Sequence, residues 1–408
     1  MDISEFHSAE FQQFVQDHLE EDPALLLFKY QGKVPFDLKM AVQQLSARQK
    51  AKKKLPSWSS NPALIFPASI SLEQSSSEDT ARFKAKGLKG KLMIDLTGGL
   101  GVDFFYLSQG FEKGIYCERQ KELFEVTTHN LQELEPSKGS EPLKDLPSKF
   151  DFFEGDGIAF LQKTNLQFDL IYLDPARRGS GNQKLYRLQD CEPDVVNSWP
   201  LLKEKSNQIL IKSSPMLDLS QAWAELPDVQ KITIVSVKNE VKELLLSWEK
   251  GKDSIKKQIE VVDLGRAFPR FSFYRKEEEQ ADSIYSEAER YLVEPLGGIL
   301  KSGAFNLFGE RYGLKKLEKN SHLYTGNQVP EDIPGRTFEV IQEVNLKKQE
   351  IKKLFPSGKV NVITRNYVLS AESLKRKMGL KDGGDDFLIA TKTQKGNKVY
   401  WCKKNEGV

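Results

Sequence analysis

The chain has few of the residues that build disulfide frameworks and metal sites. Its cysteines and histidines are few and scattered along the chain: Cys117, Cys191, Cys402, His7, His18, His129 and His322. Neither a paired-cysteine pattern nor the close spacing of zinc ligands is present. We therefore expect no disulfide framework and no metal site.

The chain also lacks long apolar runs. None reaches the roughly 18 residues that a membrane-spanning helix needs. The N-terminus, MDISEFHSAE, is polar and acidic and has no apolar segment typical of a signal peptide. We expect a cytoplasmic protein with no membrane partner. Because single cores seldom grow past about 250 residues, 408 residues allow two or three domains.

Charge is distributed unevenly along the chain. The net charge is +2, but residues 285–408 contain 22 lysines and arginines against 15 acids, a charge of +7. The preceding residues contain 38 basic and 43 acidic side chains, a charge of −5. A basic C-terminal part is typical of a unit that meets a polyanion, and a solvated lysine surface is the alternative.

The N-terminal part has a helical pattern. Apolar residues recur at helical spacing over residues 3–54, which end in RQKAKKK, Arg48 to Lys54. These basic residues either contact phosphate or stabilise a helix C-terminus. After a proline-rich crossing, Ser75 and Glu78 have the spacing of a capping box, which predicts a helix over 76–86.

Residues 92 to about 275 alternate apolar runs with helical segments. Strands separated by helices predict a parallel, doubly wound α/β sheet, and the short final connection predicts an antiparallel last strand. The expected strands are 92–96, 114–117, 150–153, 170–173, 208–212, 231–237, 260–264 and 271–274. The expected helices include 119–134, 156–163, 219–225 and 239–249, with Asn239-Glu240 as a cap.

A charged spacer, KEEEQADS at 276–283, precedes a change in composition. Beyond it the pattern predicts a two-layer α+β region. Its expected helices are 284–292, 347–354 and 371–378, the last capped by Ser370. Its expected strands are 322–325, 337–344 and 359–364, with a hairpin that pairs 386–391 with 397–402.

A glycine turn follows the first strand of the α/β region. In LMIDLTGGLGVD the apolar run ends at Asp95, and Gly98, Gly99 and Gly101 precede a helix. A side chain at Gly99 or Gly101 would stop the backbone from approaching a ligand, and φ > 0 is sterically cheap only for glycine. The turn indicates a nucleotide-cofactor site. An ordinary connection between strand and helix is the alternative.

Acidic residues follow four successive strands of this sheet, at Asp95, Glu118, Asp156 and Asp174. Ligands of doubly wound sheets bind at these strand ends. Glu118 lies 17 residues after Gly101, close to the roughly 20-residue offset at which a carboxylate meets ribose hydroxyls. We expect Asp156 to accept from an adenine amino group.

The cofactor is either a dinucleotide or S-adenosylmethionine. Phe104 occupies the position of the third glycine in the dinucleotide pattern G-x-G-x-x-G. A cluster of carboxylates also suits a cationic sulfonium better than a pyrophosphate. These two observations favour S-adenosylmethionine.

Several motifs together resemble a known family. DLTGGLG, IYCE, EGDG and YLDPARR look like class I S-adenosylmethionine-dependent methyltransferases. The whole chain is similar to bacterial RNA methyltransferases with a ferredoxin-like piece followed by a THUMP-like domain. The segments that carry the closer similarity are SSSEDTARFKAKG (75–87), DLTGGLGVD (95–103), LDPARRG (173–179), KNEVKELL (238–245), ITRNY (363–367) and LKDGGDDF (380–387).

The resemblance implies a Rossmann-like sheet of seven strands and a set of cofactor-binding residues. It implies that Glu118 binds ribose, that Asp156 lies by adenine, and that the methionine side is lined by Asp95, Thr97, Gly99 and Gly101. Asp103 and Asp174 complete the expected set. The expected domains are an N-terminal helical region (1–74), a methyltransferase domain (75–278), a ferredoxin-like segment (284–345) and a THUMP-like domain (346–408).

The catalytic motif departs from that of amino-directed methyltransferases, (Asp/Asn)-Pro-Pro-(Tyr/Phe). Asp174 and Pro175 match it, but Ala176 and Arg177 replace the rest, so an aromatic for stacking on the base is lost. DPARRG looks instead like the Asp-Pro-x-Arg motif of uracil C5 methyltransferases. Those enzymes need a cysteine nucleophile after the next strand, where this chain has KSSP (212–215). Cys191 lies on another segment, so C5 methylation is disfavoured.

We therefore predict that Asp174, with Pro175 and Arg177, forms the catalytic motif, and that Asp174 orients an amine or accepts its proton. Arg177 and Arg178 are donors suited to phosphate or a base edge, with ion pairs to Asp190 and Glu192 as the alternative. THUMP domains bind RNA, which agrees with the basic C-terminal part. The expected RNA contacts there are Arg365, Asn366, Lys375, Arg376, Lys377 and Lys381, with a solvated face as the alternative.

Three functions are compatible with these residues. The first is a methyltransferase that acts on a tRNA or rRNA base. The second is a methyltransferase that acts on a protein or a small molecule. The third is a noncatalytic module that binds S-adenosylmethionine and RNA.

Overall fold

The computed structural model describes residues 6, 8–66, 69–135, 148–177, 186–265 and 270–405. The chain forms two compact units. The first contains Met1–Val229 and Leu245–Lys252, and the second contains Gln230–Leu244 and Asp253–Val408. Among the described residues, every helix is too short or too polar to cross a lipid bilayer.

The first unit begins with helices, as the periodicity predicted. Aspartate or serine side chains cap the first three helices. The helices are α1 (Ala9–Asp17), α2 (Pro23–Tyr30), α3 (Leu38–Ala51), α4 (Pro56–Ser59), α5 (Ser69–Gln74) and α6 (Glu78–Ala85). Apolar faces of α1, α2 and α3 pack around Phe11 and Leu45.

Arg48 on α3 has an internal role in place of the phosphate contact considered above. Its guanidinium is buried and donates to four backbone carbonyls at the end of α4 and in the segment that follows it: Ser59, Asn61, Pro62 and Leu64. Burial lowers the pKa of Arg48 to about 10. Arginine suits this position because its planar group carries five donors in a fixed arrangement.

The α/β part of the chain alternates strands and helices. The strands are β1 (Gly90–Asp95), β2 (Phe111–Glu118), β3 (Phe150–Glu154), β4 (Leu170–Leu173), β5 (Ala176–Arg177), β6 (Cys191–Glu192), β7 (Gln208–Ser213), β8 (Lys231–Val237), β9 (Glu240–Glu249), β10 (Gln258–Leu264) and β11 (Phe271–Tyr274). The helices are α7 (Val102–Ser108), α8 (Lys121–Leu134), α9 (Gly157–Lys163), α10 (Val195–Lys205), α11 (Leu219–Glu225) and α12 (Arg275–Gln280).

Nine of these strands form one sheet in the order β11-β10-β8-β9-β7-β4-β1-β2-β3. β1 pairs in parallel with β2 on one side and with β4 on the other, so the strand order reverses at β1. β11 is antiparallel to β10, as predicted. The doubly wound α/β fold is confirmed, with nine strands where the resemblance implied seven.

The helix predicted over 239–249 was wrong, because this segment forms β9. The chain turns through Lys238 and Asn239, whose φ angles are 51° and 69°, so Asn239 does not cap a helix. Leu244, Leu245 and Leu246 are all buried, which is typical of a strand covered on both faces. Burial of these leucines outweighs the helix propensity of the lysine, glutamate and leucine residues here.

The second unit also contains a mainly antiparallel sheet in the order β13-β14-β12-β15-β18-β17-β16, which confirms the expected α+β region. Its strands are β12 (Tyr291–Pro295), β13 (Lys315–Lys316), β14 (Tyr324–Gly326), β15 (Gly335–Glu343), β16 (Asn361–Arg365), β17 (Asp386–Thr393) and β18 (Gly396–Lys404). Its helices are α13 (Gly297–Ser302), α14 (Phe305–Tyr312), α15 (Lys348–Leu354) and α16 (Ala371–Met378).

Three local predictions are corrected by the structure. The helix expected over 284–292 is absent, because Tyr291–Pro295 pairs with both β14 and β15. The charged spacer contains α12. Helix α6 is capped by Ser77 in place of Ser75, because Glu78 is drawn away to accept hydrogen bonds from the Ser57 and Trp58 backbone.

We predict that Arg48→Met destabilises the protein. Four backbone carbonyls would lose a charged donor, and we expect the free energy of unfolding to fall by about 3 kcal/mol. Chemical denaturation followed by circular dichroism measures the change. The exposed Lys50 on the same helix is the matched control, and Lys50→Met should alter stability by less than about 0.5 kcal/mol. Equal stabilities of the two variants would contradict the role given to Arg48.

Candidate functional site

A cleft of about 220 Å³ lies in the first unit, at the carboxyl ends of β1, β2, β3 and β4. This is where a doubly wound sheet binds its ligand, since the strand order reverses at β1. The structure brings all eight predicted cofactor residues to the lining: Asp95, Thr97, Gly99, Gly101, Asp103, Glu118, Asp156 and Asp174. Lining residues that the sequence did not suggest include Ser76, Arg119, Tyr172, Glu192 and Lys212.

The glycine turn forms the floor of this cleft. Gly101 precedes α7 with φ 75°, and a Cβ there would lie 2.6 Å from the Thr127 methyl group. At Gly99 the positive φ of 54° is the reason for glycine, because a Cβ would meet little else. The Tyr116 and Thr127 hydroxyls both donate to the Gly99 carbonyl, at 2.5 and 2.9 Å. The turn is therefore held in one conformation.

Glu118 and Asp156 stand on one side of the turn. The two carboxylate oxygens of Glu118 accept from the backbone N–H groups of Gly99 and Gln120, at 2.9 and 2.7 Å. Asp156 caps α9, because its Oδ1 accepts from the Ala159 N–H at 2.8 Å. Each carboxylate is thus fixed by the backbone before any ligand arrives.

Asp95 is the most deeply buried acid of the cleft. Burial, followed by the nearby charges of Asp103, Asp174 and Glu118, raises the pKa of Asp95 well above its usual value, although a hydrogen bond from the Thr97 N–H opposes the shift. The Thr97 hydroxyl accepts from the Asp174 N–H at 2.6 Å. This contact joins the glycine turn to the segment that carries the expected catalytic motif.

Asp103, at the start of α7, is surrounded by donors. Lys84 lies 3.1 Å from one carboxylate oxygen, and the hydroxyls of Tyr172 and Ser76 donate to the other at 2.6 and 2.7 Å. Burial alone would raise the pKa of Asp103, but Lys84, Lys212 and the two hydroxyls together lower it. From the sequence we expected Asp103 only to bind the cofactor. No spacing pattern in the sequence indicates that Lys84, Tyr172 and Ser76 contact this aspartate.

Lys212 makes the closest contact to Asp174, with 2.5 Å between Nζ and Oδ2. In the sequence the KSSP turn stood out only for its missing thiol. In the structure β4 and β7 are parallel neighbours, and Leu173 pairs with Ile211, so the residues that follow, Asp174 and Lys212, lie side by side. This pairing of strands is the signal that places the lysine beside the aspartate, and it is known only from the fold.

The remaining residues of the catalytic motif lie beside the cleft. Pro175 and Arg177 are not among its lining residues, and Arg177 pairs with Cys191 in the short β5-β6 ribbon. Glu192 forms an ion pair with Arg119. Arg178 lies outside the described residues.

Cys191 is buried and donates to the Tyr186 hydroxyl at 3.3 Å. Burial raises the pKa of the Cys191 thiol, which keeps it in the less nucleophilic protonated form. This environment agrees with the expectation that Cys191 does not act as a nucleophile.

The predicted RNA contacts in the second unit have different environments. Arg365 pairs with the buried Glu294 at 2.5 Å, and the Asn366 amide donates to Glu318 at 2.9 Å. Lys375 pairs with both Glu372 and Asp382 at 2.6 Å. In contrast, Arg376, Lys377 and Lys381 are exposed.

Comparisons with known proteins agree with this geometry. A ferredoxin-like domain family matches residues 291–334, and a family described as THUMP domain-like matches residues 335–404. A crystal structure of a protein assigned as a methyltransferase, from Porphyromonas gingivalis W83, is 30% identical over 100% of both chains, with a TM-score of 0.87.

Two proteins from Mycobacterium tuberculosis strains, described as uncharacterized S-adenosylmethionine-dependent methyltransferases, are 21% identical over 342 residues. The similarity covers 81% of this chain and 87% of each of theirs. Taken with the doubly wound sheet, the glycine turn and the acidic cleft, these similarities place the chain among the S-adenosylmethionine-dependent methyltransferases that carry ferredoxin-like and THUMP-like regions at the C-terminal end.

Proposed function

We propose that this methyltransferase modifies a base of tRNA or rRNA. The observation that carries the proposal is an acidic cofactor cleft that includes Asp174, in a chain whose THUMP-like region exposes basic side chains. The cleft supports transfer from a sulfonium, and the basic region supports a polyanionic acceptor. Because the chain belongs to a family of enzymes, we do not retain the noncatalytic alternative.

The cleft fits the cofactor by charge. Six acids and two basic residues are among its lining side chains: Asp95, Asp103, Glu118, Asp156, Asp174, Glu192, Arg119 and Lys212. We assign the methionine end of S-adenosylmethionine to Asp95, Thr97, Gly99 and Gly101, and the ribose hydroxyls to Glu118. Asp156 has one oxygen on the α9 backbone, and we assign the other to the adenine amino group.

Bound S-adenosylmethionine supplies an electrophilic methyl group, and this chain's residues align the acceptor with it. Displacement at the methyl carbon needs an in-line approach, and correct placement alone lowers a barrier by about 7 to 11 kcal/mol. Oδ2 of Asp174 is held by Lys212, so we assign Oδ1 to the acceptor N–H. Asp174 then accepts the acceptor's proton as the bond to carbon forms.

We assign RNA binding to a basic surface defined by Lys359, Arg376, Lys377 and Lys381. All four side chains are exposed, and Lys359 and Lys381 are bridge partners in adjacent segments. Arg376 and Lys377 lie in the last turn of α16, a few residues before Lys381. Arg365, Asn366 and Lys375 remain predicted contacts, although their side chains also bind acidic groups of the protein.

We predict that cofactor affinity depends on pH through Asp95. Its raised pKa means that the free protein keeps a proton there above the usual carboxylate range, and a cationic ligand favours the ionised form. Affinity for S-adenosylmethionine should therefore rise with pH until Asp95 is ionised, and binding below that point should release a proton. Calorimetry between about pH 5 and about pH 8.5 in two buffers measures both effects. Asp95→Asn should bind more weakly and lose the dependence, and an unchanged dependence in this variant would refute the assignment.

We predict that Asp174→Asn slows transfer while it spares cofactor binding. Loss of the proton acceptor should reduce the rate by roughly 10²- to 10⁴-fold. Tritiated methyl incorporation into RNA from cells that lack the protein measures the rate, and mass spectrometry of nucleosides identifies the product. Methyl incorporation into protein or small molecules with none into RNA would instead favour the second function.

We predict that charge reversal on the basic surface weakens RNA binding. Arg376→Glu with Lys377→Glu should lower the slope of log affinity against log salt by about 2, because two phosphate contacts are lost. Binding to the same RNA is titrated at several salt concentrations. Lys403→Glu with Lys404→Glu, an exposed pair on β18, is the matched control. An equal loss in both double variants would show a nonspecific charge effect and count against the assigned surface.

A further inference from the structure

Four charged side chains form a row that leads to the cleft, and we call them the charge row: Lys84, Asp103, Lys212 and Asp174. Lys84 lies 3.1 Å from Asp103, Lys212 lies 3.8 Å from Asp103, and Lys212 lies 2.5 Å from Asp174. Positive and negative groups alternate along the row. Each internal member therefore has an oppositely charged neighbour on both sides.

Exposure increases along the charge row towards the cleft. The side chain of Lys84 is 0% exposed, Asp103 is 10%, Lys212 is 13% and Asp174 is 37% exposed. Buried ion pairs are often no more stabilising than apolar residues of the same volume. Stability alone therefore does not explain why one buried and one largely buried lysine lead to a partly exposed carboxylate.

The charge row joins the elements that must act together in methyl transfer. Lys84 belongs to α6, and Asp103 lies in the first turn of α7, which follows the glycine turn. Lys212 lies in β7, and Asp174 follows β4. Tyr172 and Ser76 donate to Asp103 and keep the middle of the row in place. The glycine turn is thus connected to Asp174 in two ways, through the charge row and through the hydrogen bond from the Asp174 N–H to the Thr97 hydroxyl.

We propose that Lys212 is a positioning residue for methyl transfer, which holds the Asp174 carboxylate in the orientation that receives the acceptor. Lys84 acts on Lys212 through Asp103. The inference rests on the proposed role of Asp174. It adds residues that touch neither cofactor nor acceptor in the assignment above.

The physical basis is the repulsion between acids at this edge of the sheet. Asp95, Asp103 and Glu118 line the same cleft as Asp174. The Asp174 backbone is anchored on Thr97, but its carboxylate is anchored on Lys212. Without the ammonium group the carboxylate turns away from its like-charged neighbours, and a displacement of about 1 Å can cost about 100-fold in rate.

The test compares single-turnover methylation by Lys212→Met, Lys212→Arg and Lys84→Met, with RNA from cells that lack the protein and tritiated S-adenosylmethionine. We expect Lys212→Met to lower the rate about 100-fold while the cofactor dissociation constant stays within about threefold. Lys212→Arg keeps the charge and should recover at least about tenfold of this loss. Lys84→Met should lower the rate about tenfold, with little further effect in the Lys212→Met background.

Lys205→Met is the matched control. Lys205 is a buried lysine on α10 that donates to the Thr164 carbonyl, outside the charge row. Its replacement should reduce stability but leave the rate unchanged, which separates loss of a buried lysine from loss of positioning. Near-ultraviolet circular dichroism and cofactor calorimetry identify any variant that fails to fold. Lys212→Gln then replaces Lys212→Met, and Asp103→Asn replaces Lys84→Met.

Two results would overturn the inference, and a third would remove Lys84 from it. A Lys212→Met rate within about threefold of the wild type is one, and a rate loss matched by lost cofactor affinity is another. Rate losses for Lys84→Met and Lys212→Met that multiply in the double variant would remove Lys84 from the row. If the Asp174→Asn variant keeps the wild-type rate, the proposed catalytic role of Asp174 is rejected. If Asp174→Asn slows methyl transfer but Lys212→Met does not, only the role of the charge row is rejected.

Discussion

Mutual repulsion between carboxylates at one edge of a parallel sheet is the constraint on which this site depends. β1, β2 and β4 end beside each other, so Asp95, Glu118 and Asp174 necessarily approach one another. Charges of one sign that are removed from water must be protonated or balanced by cations. The protein uses both responses, since Asp95 has a raised pKa and the buried ammonium groups balance Asp103 and Asp174. A cationic cofactor completes the balance.

A buried carboxylate that needs cationic partners also joins the C-terminal region internally. Glu294 lies in the part that matches the ferredoxin-like family, and Arg336 and Arg365 lie in the THUMP-like part. Both arginines bind the buried Glu294 carboxylate. A buried carboxylate is strongly destabilising unless it is paired. The two matched regions are therefore joined by the ion pairs of Glu294 with Arg336 and Arg365, which gives Arg365 a structural role beside its predicted RNA contact.

Local patterns predicted most elements well where periodicity and burial agreed. Helix α16 begins after Ser370 as predicted, and β4 matches its apolar run. Prediction failed where long-range contacts outweighed local preference. KNEVKELL contains good helix formers, yet most of it belongs to strand β9, in which its leucines are buried. Ser77 caps α6 in place of Ser75, because Glu78 accepts a hydrogen bond from a distant backbone segment. No spacing in the sequence reveals this contact.

Most strands and helices, the glycine turn and the set of acids at strand ends could be predicted from the amino-acid sequence, because these depend on residues close together in the chain. Charge and a missing third glycine also favoured S-adenosylmethionine over a dinucleotide, and the similarity to S-adenosylmethionine-dependent methyltransferases confirms this cofactor. The way Asp103 is balanced by lysines, and the identity of the residue that anchors Asp174, depend on long-range contacts that only the folded chain makes. Lys84 and Lys212 lie 128 positions apart in the chain. Their convergence on one carboxylate follows from helix packing and strand order, which no local pattern encodes.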